Sequence, residues 1–172
     1  MSRAFVKEGD GEDAEPLPER PLPVHANYVT ARGLARLQAR VRELAGECET
    51  LRRIAADEGG DKQKLRAAER DLRYFNAQLE RAELVMPAAQ CDEIRDEIHF
   101  GASVRLVAAD GIHQRVRIVG DDEADAAAGA ISWASPLARA LIGARVGEVV
   151  TWRRPAGAAE IEILEVTYEP GV

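Results

Sequence analysis

A chain of 172 residues with a mass of 18.7 kDa has room for one domain or two small ones. Apolar residues make up 46% of it, enough for a core, whereas aromatics at 5% are too few for a surface that stacks bases or sugars. The formal charge of −7, from 30 acidic and 23 basic side chains, disfavours direct binding to duplex DNA.

The charge is unevenly spread. Residues 1–25 carry three basic and six acidic side chains and four of the eight prolines, so residues 1–27 are expected to form a disordered acidic leader. That leader has no hydrophobic core of a secretory signal, and no run of 18 apolar residues follows it. The expectation is a soluble, cytoplasmic protein with no membrane partner. Residues 28–86 carry twelve basic and ten acidic side chains, and residues 87–172 carry eight and fourteen. Composition changes at Pro87, which marks the expected domain boundary, with 87–97 as a linker.

Within 28–86, the apolar positions Leu34, Leu37, Val41, Leu44, Cys48 and Leu51 alternate spacings of 3 and 4, the heptad seam of a helix. Thr30 is a fitting N-cap for that helix. A second seam runs Leu65, Ala68, Leu72, Phe75, Leu79, Ala82 and Met86, and stops at Pro87. Facing residues of an antiparallel hairpin have numbers with a constant sum, and six pairs from Leu34–Ala82 to Leu51–Leu65 all sum to 116. The register predicts a coiled-coil hairpin over 28–86 with arms of about 25 residues, roughly 35–40 Å long. Its turn falls at residue 58, where Asp57, Glu58 and Asp61 gather around Gly59-Gly60.

The last part reads as a strand-rich unit over 98–172. Expected strands cover 98–107, 113–119, 130–133, 148–154 and 160–168, with Asp110-Gly111 as a hairpin turn. Ser135 before Pro136 is an N-cap with proline at N1, which predicts a short helix ending at Gly143. An acidic loop, Asp121-Asp122-Glu123-Ala124-Asp125, separates the second and third strands. Cys48, Cys91, His25, His99 and His113 have no metal-ligand spacing. The class is α+β: an N-terminal antiparallel helical hairpin followed by a small β-rich domain.

Three stretches together resemble the bacterial Gre (GreA/GreB) transcript-cleavage factors. They are Tyr28-Val29-Thr30-Ala31-Arg32-Gly33-Leu34, Arg117-Ile118-Val119-Gly120-Asp121-Asp122-Glu123-Ala124-Asp125, and the serine-proline helix from Ile131 to Gly143. The resemblance implies that the C-terminal domain is FKBP-like and docks on RNA polymerase at the rim of its secondary channel. Asp122, Glu123, Asp125, Ser135, Pro136 and Leu137 are the docking candidates it implies, with a fold-defining turn as the other reading of the acidic loop. The hairpin would then project toward the polymerase active site, where carboxylates at its tip help to hold a Mg²⁺ for RNA cleavage. Carboxylates suit that ion because it is hard and takes oxygen ligands.

Family members carry Gly-Asp-x-x-Glu-Asn-x-x-Tyr at the tip. Here Gly60-Asp61 matches, but Lys64, Leu65 and Ala68 replace the glutamate, asparagine and tyrosine, and the hairpin is shorter by roughly one to two turns per arm. Asp57, Glu58 and Asp61 are the carboxylates left to form an acidic tip. The implied activity is regulation of elongation by a monomer with no bound cofactor and no catalysis of its own. Mg²⁺ is met only transiently in the polymerase, and nucleic acid only within the transcription complex. A non-cleaving competitor for the channel is the alternative within the family. A prolyl isomerase and a protein-interaction module are the alternatives from other classes.

Overall fold

The computed structural model describes residues 17–56, 61–86 and 96–168. The chain begins its regular structure with a short strand, β1 (Asn27–Val29), and then forms two helices, α1 (Ala31–Ala56) and α2 (Lys62–Glu80). Thr30 caps α1: its hydroxyl oxygen accepts from the Gly33 amide at 3.0 Å and its carbonyl from the Leu34 amide at 2.9 Å. Leu37, Leu44, Cys48 and Ala68 are buried along the expected seam. Arg52 bonds Glu69 at 2.7 Å near the far end, and the Arg40 guanidinium lies 5.8 Å from the Phe75 ring nearer the base. The arms are therefore antiparallel, and α1, at 26 residues, is about 39 Å long. The turn at residue 58 and the boundary at Pro87 fall outside the described residues.

Two expectations are corrected at the base of the hairpin. The second helix does not run to Met86: it ends at Glu80, and Ala82–Leu84 form a strand, β2, that pairs in parallel with β1. The reason is a partner distant in sequence. The Asn27 side-chain amide donates to the backbone carbonyl of Gln78 at 2.8 Å, satisfying an orphan acceptor of the last helical turn. The Leu34–Ala82 layer is thereby replaced by strand pairing. The leader is also not wholly without structure, because Glu19, Arg20, Pro23 and His25 contact α2 and its C-cap Arg81. Glu19 and Arg20 pair with Arg73 and Asp71 at 2.5 and 3.5 Å, and the Arg20 guanidinium sits 3.9 Å from the Tyr74 ring centre. Arg81 donates to the carbonyls of Pro23 and His25, both at 2.8 Å. Cationic and charge-assisted contacts, rather than apolar burial, hold this strap.

The remaining elements are β3 (Ala102–Ala108), β4 (His113–Val119), β5 (Ala130–Ser132), α3 (Pro136–Leu141), β6 (Val149–Arg154) and β7 (Gly157–Tyr168). They form one five-stranded sheet in the order β5-β4-β3-β7-β6, antiparallel except for β4–β5. Alternate residues Val104, Leu106, Val116, Ile118, Ile161 and Ile163 point inward and meet Leu137, Ala138 and Leu141 of α3. Each such large aliphatic contributes roughly 1.5–3 kcal/mol by its burial. A register shift at Arg105/Leu106 between β3 and β7 adds local twist to the sheet. The fold is α+β, as the patterns imply.

Two outcomes follow from this packing. Arg81→Ala should free the strap, raising amide exchange at residues 24–29 and lowering stability by about 1–2 kcal/mol; unchanged exchange would contradict the tether. Burial pushes the Cys48 thiol above its usual range, with Glu69 and Glu47 adding to the effect and Arg52 opposing it. In a Cys91→Ser chain, iodoacetamide should therefore modify Cys48 only when the hairpin opens, at a rate that rises with denaturant.

Candidate functional site

The two ends of the hairpin hold the residues of interest. At the far end, Asp61 is the N-cap of α2, and its Oδ1 accepts from the amides of Gln63 and Lys64, both at 3.0 Å. Its Oδ2 lies 3.8 Å from the Lys64 ammonium. Asp57 and Glu58 lie outside the described residues. Among the described residues, no group of three or more His, Cys, Asp or Glu side chains is arranged to hold a metal ion.

At the near end, the acidic loop meets the hairpin. Glu123 is 7% exposed. Its Oε1 accepts from the Thr30 amide at 3.0 Å and its Oε2 from the Thr30 hydroxyl at 2.5 Å. The Gly120 amide adds a longer contact at 3.4 Å. The carboxylate thus sits at the N-terminus of α1, where the helix dipole favours negative charge. Two glycines make room for it. A Cβ on Gly33 would overlap the Glu123 carboxylate, and one on Gly120 would overlap the carbonyl oxygen of Tyr28. This explains why a glycine stands in the first turn of α1, where helix propensity opposes it.

The neighbouring carboxylates are also engaged. Asp122 accepts from the side-chain amide of buried Gln78 on α2 at 3.1 Å. Although Asp122 keeps an exposed edge, burial of its carboxyl against the hairpin pushes it above the usual range; the Gln78 amide opposes this and Asp121 adds to it. Asp121 accepts from the Ser132 hydroxyl and lies 3.3 Å from His25 Nε2 of the strap. Asp125 caps the short 3₁₀ turn Ala126–Ala128, accepting from the Ala127 amide at 3.0 Å. Above the loop, Trp133 packs on Tyr28 and His25 with ring centroids 4.8 and 5.3 Å apart, and Tyr28 is 6.2 Å from Phe100. Tyr28, Phe100 and Trp133 thus form an aromatic cluster with His25 where the N-terminal segment meets the sheet domain.

The serine-proline helix presents a different surface. Ser135 caps α3 by accepting from the Ala138 amide at 3.2 Å, Pro136 is exposed at its start, and Leu137 is buried in the core. Beyond α3, Ile142, Val146 and Val149 are exposed apolar side chains. Of the six docking candidates, Glu123 and Leu137 are thus enclosed. Asp122 accepts from Gln78 across the junction, Asp125 and Ser135 make local hydrogen bonds, and Pro136 is open.

Residues 93–168 match the family model described as transcription elongation factor GreA/GreB, C-terminal. GreB of Neisseria meningitidis serogroup A is 46% identical over 115 residues, covering 64% of this chain and 69% of that protein. The chain belongs to the GreA/GreB family of transcription elongation factors. GreA of Bartonella henselae is 49% identical over 74 residues, covering 42% of this chain and 47% of that protein. Among solved structures, Gfh1 of Thermus thermophilus aligns over 83% of this chain and 99% of its own, with 22% identity and a TM-score of 0.39. A GreA/GreB factor from Nitrosomonas europaea aligns over 82% and 98%, with 23% identity and a TM-score of 0.40.

In this Gre-family chain the first two resembling stretches share a physical reason for their residues. Thr30, Gly33, Gly120 and Glu123 are parts of one contact between the first stretch and the second. Sequence reasoning placed Glu123 in a loop that is either a fold-defining turn or a docking contact, saw Gly33 only as part of a family stretch, and missed Gln78. A helical glycine and a buried glutamine are signals of close approach, but neither names its partner.

The contact predicts a non-additive pair. Glu123→Ala leaves the Thr30 donors unpaired and should cost about 2–3 kcal/mol. Gly33→Ala should cost roughly 1–3 kcal/mol through overpacking. With Glu123 already alanine, the same change at Gly33 should be neutral or stabilise by up to about 1 kcal/mol. Denaturant melts of the four proteins check this, and strictly additive costs would contradict it.

Proposed function

We propose that this chain binds bacterial RNA polymerase through its sheet domain and regulates elongation by inserting the helical hairpin into the secondary channel. The observation that carries the reading is a hairpin about 39 Å long, joined at its base to the domain that matches the GreA/GreB family model. Open Pro136 and the exposed Ile142, Val146 and Val149 support a docking surface around α3. The protein acts as a cytoplasmic monomer, meets nucleic acid only inside the transcription complex, and leaves the chemistry to the polymerase.

At the tip, Asp57, Glu58 and Asp61 are the oxygen ligands available to the polymerase Mg²⁺, and cleavage of backtracked RNA is the activity they would support. A second reading rests on Asp61. Its Oδ1 accepts two amides and its Oδ2 faces Lys64, which stands where the family carries glutamate. A tip so occupied favours a channel competitor that does not stimulate cleavage. The prolyl isomerase reading is weakened by the aromatics: Phe100 and Trp133 pack on Tyr28, directly or in its cluster, and the Tyr168 hydroxyl donates to Glu97 and accepts from His99.

A stalled elongation complex tests both. Shortened RNA 3′ ends that depend on Asp57, Glu58 and Asp61, falling roughly tenfold or more on alanine substitution, are the expected result for cleavage. Blockage of another finger-bearing factor, unaffected by those substitutions, is the result for competition. Failure of the polymerase to bind the full chain at all would overturn the proposal.

A further inference from the structure

Three consecutive carboxylates reach three different segments of the N-terminal half. Asp121 lies 3.3 Å from His25 of the strap, Asp122 accepts from Gln78 of α2 at 3.1 Å, and Glu123 accepts from Thr30 at the start of α1 at 3.0 and 2.5 Å. The same loop is held to its own domain. Asp121 accepts from Ser132 at the end of β5, and the Trp133 amide donates to the Val119 carbonyl at 2.9 Å. A rigid rod gripped at both of its arms and at the strap beside them has its direction set. A rod gripped at one point would pivot. Burial of Glu123 and Thr30, at 7% and 1% exposure, removes water as a competing partner at the grip on α1, and the grip on α2 is half-buried through Gln78.

We propose that Asp121, Asp122 and Glu123 are positioning residues that set the direction in which the hairpin leaves the sheet domain, and that the motif serves the finger's aim rather than touching polymerase. Gly33 belongs to the same device, since only a residue without a Cβ admits the Glu123 carboxylate to the helix start. The consequence for transcription rests on the polymerase reading given above, whereas the orientation does not. A finger misdirected by a small angle at its base moves by several ångströms at its tip. Misplacement of that size costs roughly a hundredfold in positioned chemistry.

The test has two arms on the full-length chain. In the first, spin labels are placed at Arg53→Cys and Ile112→Cys in a Cys91→Ser background, with buried Cys48 left in place, and their separation is read by double electron–electron resonance. One narrow distance distribution is expected. Glu123→Ala should broaden it, as should Gly33→Ala, and combining the two should broaden it no further than Glu123→Ala alone. Glu123→Gln, which keeps the shape and the acceptor oxygen, should fall between and guards against a variant that fails to fold. A narrow, unshifted distribution in Glu123→Ala and Glu123→Gln would overturn the proposal.

In the second arm, polymerase affinity and the effect on stalled complexes at saturation are measured separately. Unchanged affinity with a loss of effect is expected for Glu123→Gln and Glu123→Ala. A loss of affinity with full effect at saturation would mean that these carboxylates contact polymerase, and would overturn it. If the unsubstituted chain does not bind polymerase, the polymerase reading fails, and the distance measurement alone decides the positioning.

Discussion

A carboxylate placed in the interior needs donors, and Glu123 finds them at the first turn of α1, whose free amides and dipole favour negative charge. Most of the arrangement at the junction follows from this one placement. Thr30 must be both the cap of the helix and a donor to Glu123, and its one hydroxyl does both, which a carboxylate cap could not. Position 33 must lack a Cβ because the carboxylate fills that space, and position 120 must lack one because the carbonyl of Tyr28 does. The second arm is held in register by Asn27 and Asp122 acting on Gln78, and so α2 ends where the two strands β1 and β2 begin to pair.

The junction joins two units that stand on different physical supports. The sheet domain has an ordinary apolar core between one face of its sheet and α3. The hairpin has a narrow seam with four buried seam residues and many charges outside it. A long, thin element of this kind gains little from burial, and its direction depends on what holds its base. The strap over α2, with Arg20 on Tyr74 and Arg81 on two backbone carbonyls, adds a further hold on the same end. The formal charge of the whole chain conceals this economy: the acidic loop that adds most to the negative C-terminal part is occupied in binding the N-terminal one.

Much of this was legible in the sequence, and what was not has a common cause. The heptad seams, the hairpin, the strands 113–119 and 148–154 and the serine-proline helix follow from periodicity and capping, which are local. The end of α2 was missed because Ala82 continues a helical spacing and its strand partner, Asn27, is 55 positions away. The strap was missed because a proline-rich, charged stretch reads as solvated, and its contacts are with Asp71 and Tyr74 on α2 and with Arg81 just past its end. The acidic loop was legible as a family motif, either a fold-defining turn or a polymerase contact, but its partner was not, since Thr30 lies 93 residues from Glu123 and nothing local links them. Where a charged residue is buried, its role is told by its partner and not by its neighbours.

The central claim is that the junction aims the hairpin at the polymerase active centre. A photo-reactive amino acid at position 62, in the first turn of α2 beside the tip, tests it within a stalled elongation complex. The account predicts cross-links to the RNA 3′ end or to the catalytic residues around it, and their loss when Glu123 is alanine while the chain stays bound. Cross-links confined to the outer surface of the polymerase, with the sheet domain bound and Glu123 intact, would contradict it.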